Sequence, residues 1–128
     1  MALKKQYQVA VVNDSNTTTT SVVFTGTTSS ILDCGGTSPT GILLPANWLL
    51  STLTFNVGKF SSSLVPLSVF DNGTVSYSIA TPAGAVFIPL NPAMFNSVLF
   101  LQLVSSVNQT NSPTVDFMLS PVFQGVHN

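Results

Sequence analysis

Leu53-Thr54-Phe55-Asn56-Val57 alternates apolar and polar side chains with period two, the pattern of a strand with one face in a core and the other in water. Further along, Asp71-Asn72-Gly73 separates two more strand-like runs, residues 64–70 and 74–80. Asn-Gly predicts a type I′ hairpin turn there, because both central residues need positive φ. Strands are also predicted over residues 7–12, 21–25, 29–33, 41–44, 84–90, 98–104 and 114–119, each bounded by Gly, Pro, Asn or Ser. The 98–104 run is apolar on both faces where it begins, which predicts a place in the middle of a sheet. Pro45-Ala46-Asn47-Trp48 and Asn91-Pro92-Ala93-Met94-Phe95 read as two turns set by proline. Residues 13–20 read as a turn and a polar tract, and residues 105–113 as a polar loop. No window sustains apolar residues at helical spacing. The expectation is an all-β fold: one β-sandwich of about 8–9 short strands, with the jelly roll as candidate topology.

The 128 residues fit one domain, with an N-terminal arm at 1–20 and a short C-terminal tail at 120–128. The chain has no Glu and no Arg; three Lys and four Asp are its only charged side chains. Ordinary soluble domains are about a quarter charged. Ser, Thr and Asn fill the polar positions instead, and such groups lose less than ions do when a protein partner covers them. Composition therefore predicts a subunit of an assembly. With only Lys4 and Lys5 adjacent, no basic stripe exists to neutralise phosphates, so no direct nucleic-acid partner is expected. The apolar runs are too short for a spanning helix, so no membrane role is expected. The opening residues 1–8 lack the apolar run of a secretory signal, which predicts synthesis in a cytoplasm.

Chemistry has little to work with. His127 stands next to the end of the chain, and Asp14, Asp33, Asp71 and Asp116 are scattered, the first three at turns or strand ends and the last within a strand. No pair of titratable groups suited to acid–base catalysis can be assembled, and Cys34 has no partner with metal-ligand spacing. The expectation is no catalytic residue, no cofactor and no metal, with Cys34 as a buried apolar side chain. Gly35-Gly36 and Gly58 read as turn or bulge glycines, since neither opens a helix after a strand. Trp48, Phe55 and Phe70 read as core, whereas Tyr77, between Ser76 and Ser78, is free to face either way.

Pro45-Ala46-Asn47-Trp48, the strand 53–57, the Pro66 to Thr74 hairpin, the Pro89 to Phe95 turn, the 98–106 strand and Val107-Asn108-Gln109 follow one another in an order that resembles small tailed-bacteriophage virion structural proteins. That family includes head decoration or cement proteins and tail-associated β-sandwich modules. The resemblance spans about two thirds of the chain and rests on turn and core residues, so it speaks first to fold. It implies a non-enzymatic virion protein, most naturally a capsid decoration subunit on the outer surface of a phage head. The implied partners are the major capsid protein and further copies of itself, as a homotrimer. Candidate contact residues are Tyr7, Val9 and Val11 in the arm, which could add a strand to a neighbour's sheet edge, and Val122 and Phe123 in the tail. The alternatives are a tail-fibre or receptor-binding module and a free carbohydrate-binding domain. The latter is favoured if Tyr77 and nearby aromatics share an exposed face.

Overall fold

The alternation at 53–57 is realised as written: Leu53 and Phe55 are fully buried, Val57 packs against them, and Thr54 and Asn56 turn outward. The computed structural model describes residues 18–69 and 72–121. In chain order its elements are β1 (Thr18–Ser29), β2 (Leu32–Asp33), β3 (Thr37–Leu44), β4 (Ser51–Phe60), β5 (Ser63–Pro66), β6 (Ser68–Val69), β7 (Asn72–Ser76), β8 (Ser78–Thr81), β9 (Val86–Pro89), the single-turn helix α1 (Pro92–Phe95), β10 (Phe100–Gln109) and β11 (Thr114–Pro121). The all-β expectation holds.

Every strand pair is antiparallel. One layer runs β1-β11-β3-β9. The other runs β2-β10-β4, with β8 and β5 sharing the far side of β4. β1 joins the two: its first half pairs with β11 and its end pairs with β10. Within the half paired with β10 the register shifts between Gly26 and Thr28, and Gly26 takes a φ of +72° that glycine adopts at no cost. The nine-stranded sheet thus curls into a sandwich-like body. Among the described residues the first strand lies beside the last.

Inward side chains of both layers meet in one core. Val22, Phe24, Ile42, Leu44, Val115 and Phe117 come from the first layer, and Leu32, Leu53, Phe55, Leu101 and Leu103 from the second. Burying a side chain of this size stabilises the fold by about 1.5–3 kcal/mol. β10 lies mid-sheet between β4 on one side and β2 and the end of β1 on the other, as its doubly apolar start predicts.

Several sequence expectations shift. The runs at 64–70 and 74–80 each break in two, giving eleven strands among the described residues. The breaks fall at Leu67 and Tyr77, which turn toward the core and are joined by Tyr77 N donating to Leu67 O at 2.8 Å. β5 and β8 remain on β4, while β6 and β7 leave it as a separate two-stranded ribbon. In that ribbon Asn72 lies within β7, opposite Val69, so Asn72-Gly73 belongs to a strand rather than to the centre of a two-residue turn. Gly73 lacks the positive φ a type I′ turn requires and instead accepts a hydrogen bond from Ser68 Oγ at its carbonyl.

Three boundaries also differ. Thr18, Thr19 and Thr20 belong to β1, where partners on β11 hold them in a ladder despite their small side chains. β10 runs on to Gln109 because Ser105 and Gln109 are buried and hydrogen-bonded. Ser120 and Pro121 complete β11 by pairing with Ser38 and Thr37. The strand expected at 7–12 lies outside the described residues, as do Phe70 and Asp71.

Candidate interaction surfaces

The five contact residues chosen from sequence, Tyr7, Val9, Val11, Val122 and Phe123, lie outside the described residues, as do His127 and Asp14. The remaining ionisable candidates are kept apart. Cys34 is buried at the start of the β2–β3 turn, and burial, with the Asp33 charge beside it, pushes its thiol up to about 11. Asp33 Oδ1 accepts from Gly35 N at 2.9 Å, fixing that same turn. Asp116 accepts from Ser21 Oγ across the β1–β11 ladder at 2.6 Å. Among the described residues no group of three His, Cys, Asp or Glu gathers as a metal site would need.

The described surface is nearly uncharged, its charged side chains being Asp33, Lys59 and Asp116 alone, and apolar side chains stand among its Ser, Thr and Asn. Strand pairing places Ser21, Asp116, Leu43 and Phe87 directly opposite one another, in one row across the outward face of the first layer. Phe87 is 52% exposed and Leu43 43%. In the next row Thr19, Met118, Gly41 and Pro89 stand opposite one another. The Phe87 ring lies across Gly41 so closely that a Cβ there would come within 2.3 Å of it. Glycine thus lets a large ring lie flat along the face instead of standing out from it. Sequence reading missed this face because the 41–44 and 84–90 runs show mainly their apolar content, and the ring's rest position depends on a pairing between strands more than 40 residues apart.

The outward face of the second layer has another chemistry. Thr52, Thr54, Asn56, Gln102 and Ser106 lie on it beside the half-buried Phe100 and Val104, and Asn56 Nδ2 donates to Gln102 Oε1 at 3.2 Å while Gln102 Nε2 donates to Ser29 O at 3.0 Å. These two amides thus bond to each other and to the backbone.

Two clefts flank the segment Ser97-Val98-Leu99 that follows α1. One, of about 280 Å³, is lined by Val57, Lys59, Val65, Leu67 and Met94, and the other, of about 320 Å³, by Cys34, Gly36, Thr37 and Asn96. Each has few polar groups converging on it, and their sizes reach only the lower end of the range for small-molecule sites.

The aromatics divide as expected for Trp48 and Phe55, both buried. Tyr77 is partly buried, packed on Phe55 at 5.8 Å and Phe95 at 5.9 Å between ring centroids, so it does not form an exposed platform with them. Comparison of the chain with protein-family models, with curated proteins and with solved structures finds no match.

Proposed function

We propose that this protein is a non-enzymatic structural subunit of a phage virion, a decoration protein that sits on the outer surface of the capsid and bridges coat subunits. The observation that carries the reading is the outward apolar row of Leu43 and Phe87, set on a surface with so little charge. Exposed apolar patches rimmed by polar groups mark protein contacts. The order of turn and core motifs, which resembles small virion proteins, supports the same class, and the all-β, sandwich-like fold is compatible with it. Self-association as a homotrimer belongs to this reading, because a sparsely charged subunit is kept soluble by covering apolar surface rather than by ionic repulsion. The carbohydrate-binding alternative draws no support from Tyr77, which is engaged by Phe55 and Phe95.

The test is sedimentation of the purified protein with undecorated phage heads, with copy number counted per particle. Hundreds of copies per head are expected, and Phe87→Ser, at an exposed position, should reduce binding at least about tenfold while leaving the fold intact. A handful of copies at the tail, or binding unchanged by Phe87→Ser together with Leu43→Ser, would overturn the decoration reading. Light scattering on a size-exclusion peak checks the trimer, and a monomer at micromolar concentration would remove it.

A further inference from the structure

β4 loses its regular pairing just past the core. Val57 pairs with Val65 and Phe60 with Ser63, so Gly58 and Lys59 together stand opposite Leu64 alone, as in a β-bulge. Gly58 makes the close approach possible, since a Cβ there would come within 2.4 Å of Ser63 O. Bulges re-aim the side chains beside them and are frequent next to binding sites. Here the bulge borders the cleft of about 280 Å³ beside α1, and Lys59 lines that cleft. The half-buried part of the lining is Val57, Leu67, Met94 and Val98, all packed against the core. Leu67 is drawn in by its N, which donates to Phe55 O at 2.8 Å and carries the β4–β5 ladder past Pro66. The apolar wall continues onto the exposed Val65 and Leu99. Against it stand two polar side chains, Lys59 and Ser97. Lys59 is the only cation among the described residues, and among them no carboxylate lines the cleft.

We propose that this cleft binds a small apolar carboxylate, with its hydrocarbon part on Val57, Leu67, Met94 and Val98 and its carboxylate at the Lys59 ammonium. Ser97 adds a hydroxyl donor for the same head group. The inference stands independently of the virion reading and of the Leu43 and Phe87 row. Charge selects the occupant: a neutral hydrocarbon gains nothing from the ammonium and an alkylamine is repelled by it. A carboxylate gains an ion pair at the border of an apolar surface while its chain leaves water. Size narrows the choice further. The volume stands near the lower limit for small-molecule sites, which suits one medium-length chain or a single ring. Lining of this kind, mainly apolar with a few placed polar groups, is how such sites fix the orientation of a ligand. The cleft on the other side of Ser97-Val98-Leu99 has similar size, yet no cation lines it. It serves as an internal control.

Sodium octanoate, titrated into the full-length protein below its micelle-forming concentration and followed by two-dimensional NMR, tests this, with 1-octanol and octylammonium as matched probes. Octanoate is expected to give saturable shifts at Val65, Leu67 and Met94 and to leave Gly36 and Thr37, on the second cleft, in place. Lys59→Met, at an exposed position, keeps an apolar stem and removes the charge. It should weaken octanoate about three- to fivefold, the range of an exposed ion pair, and leave octanol unchanged. Octylammonium should bind more weakly than octanoate to the natural chain and lose that disadvantage in Lys59→Met. A second variant, Val65→Trp, sets a bulky ring at an exposed position of the lining and should weaken all three probes. Octanoate affinity unchanged in Lys59→Met overturns the proposal, since the cleft would then take up hydrocarbon without regard to charge. Absence of saturable shifts in the millimolar range, or shifts centred on Gly36 and Thr37 or on Leu43 and Phe87, overturns it as well.

Discussion

Trp48 and Phe95 are two large rings brought into one core by two short turns, and they are fastened by different means. Both turns start from a proline and both rings are essentially inaccessible. The Trp48 turn lies at the Ser51 end of β4 and is pinned by directional bonds. Trp48 Nε1 donates to Thr81 Oγ1 at 2.9 Å, and Thr81 Oγ1 donates to Ser51 O at 2.8 Å. The buried Gln109 amide grips Leu49 on both sides, accepting from its N at 2.9 Å and donating to its O at 3.0 Å. α1 precedes β10, whose start pairs with Gly58 near the other end of β4. Its ring meets Phe55 at 5.1 Å and Tyr77 at 5.9 Å edge to face, as Trp48 meets Phe24, but among the described residues it has no polar clamp beyond the cap in which Asn91 Oδ1 accepts from Ala93 N. Polar clamps fix one geometry, whereas packed rings tolerate small shifts. The two clefts open beside the ring-held end.

The largest expected effects test this difference directly. Trp48→Ala should cost about 4–5 kcal/mol in urea unfolding, since it removes a core ring and orphans part of the Thr81 network. Phe95→Ala should cost less, about 3 kcal/mol, because the neighbouring clefts let the site relax. If Phe95→Ala proves the more damaging of the two, the contrast between the clamped end and the ring-packed end fails. Gln109→Leu keeps the volume and deletes the clamp, leaving Leu49 N and O without their partner, at an expected cost of about 2–3 kcal/mol.

Alkaline pH should act on the α1 end, where Cys34 lines a cleft with Asn96. The folded thiol ionises near 11 and an unperturbed one near 9. The folded state therefore favours the neutral form, and its contribution to stability is complete below pH 9 and is lost as pH rises toward 11. A decline on the order of 2 kcal/mol over that window, absent in Cys34→Ala, would be seen in denaturant midpoints measured at several pH values. Smallest of all, Asn91→Ala removes the α1 cap and should cost about 1 kcal/mol, with no change in the exchange of amides around Trp48.

Much of this architecture was legible in the chain. Period-two alternation located β4, the two prolines located both turns, and the apolar company of Trp48 and Phe55 marked them as core, because each of these signals is local. Misreadings came where a distant partner overrode a local preference. Asn72-Gly73 has the chemistry of a tight turn, yet pairing with Val69 draws Asn72 into β7. Thr18, Thr19 and Thr20 read as a polar tract because strand content there is supplied by β11, about a hundred residues away. Gln109 read as loop because nothing in its neighbours announces the Leu49 backbone it grips. The contact residues chosen from sequence lie outside the described residues, whereas the apolar row of Leu43 and Phe87 required the register between β3 and β9 to be recognised.

The amide and hydroxyl ladder on the second layer, from Asn56 through Gln102 to the Ser29 carbonyl, has a bearing on the conditions in which the surface works. Ionic contacts weaken as salt accumulates and rearrange as carboxylates and imidazoles titrate. Hydrogen bonds between neutral groups carry no net charge for counterions to screen and have no pKa near neutrality. The second layer should therefore keep this network through swings in salinity and acidity that loosen ion pairs.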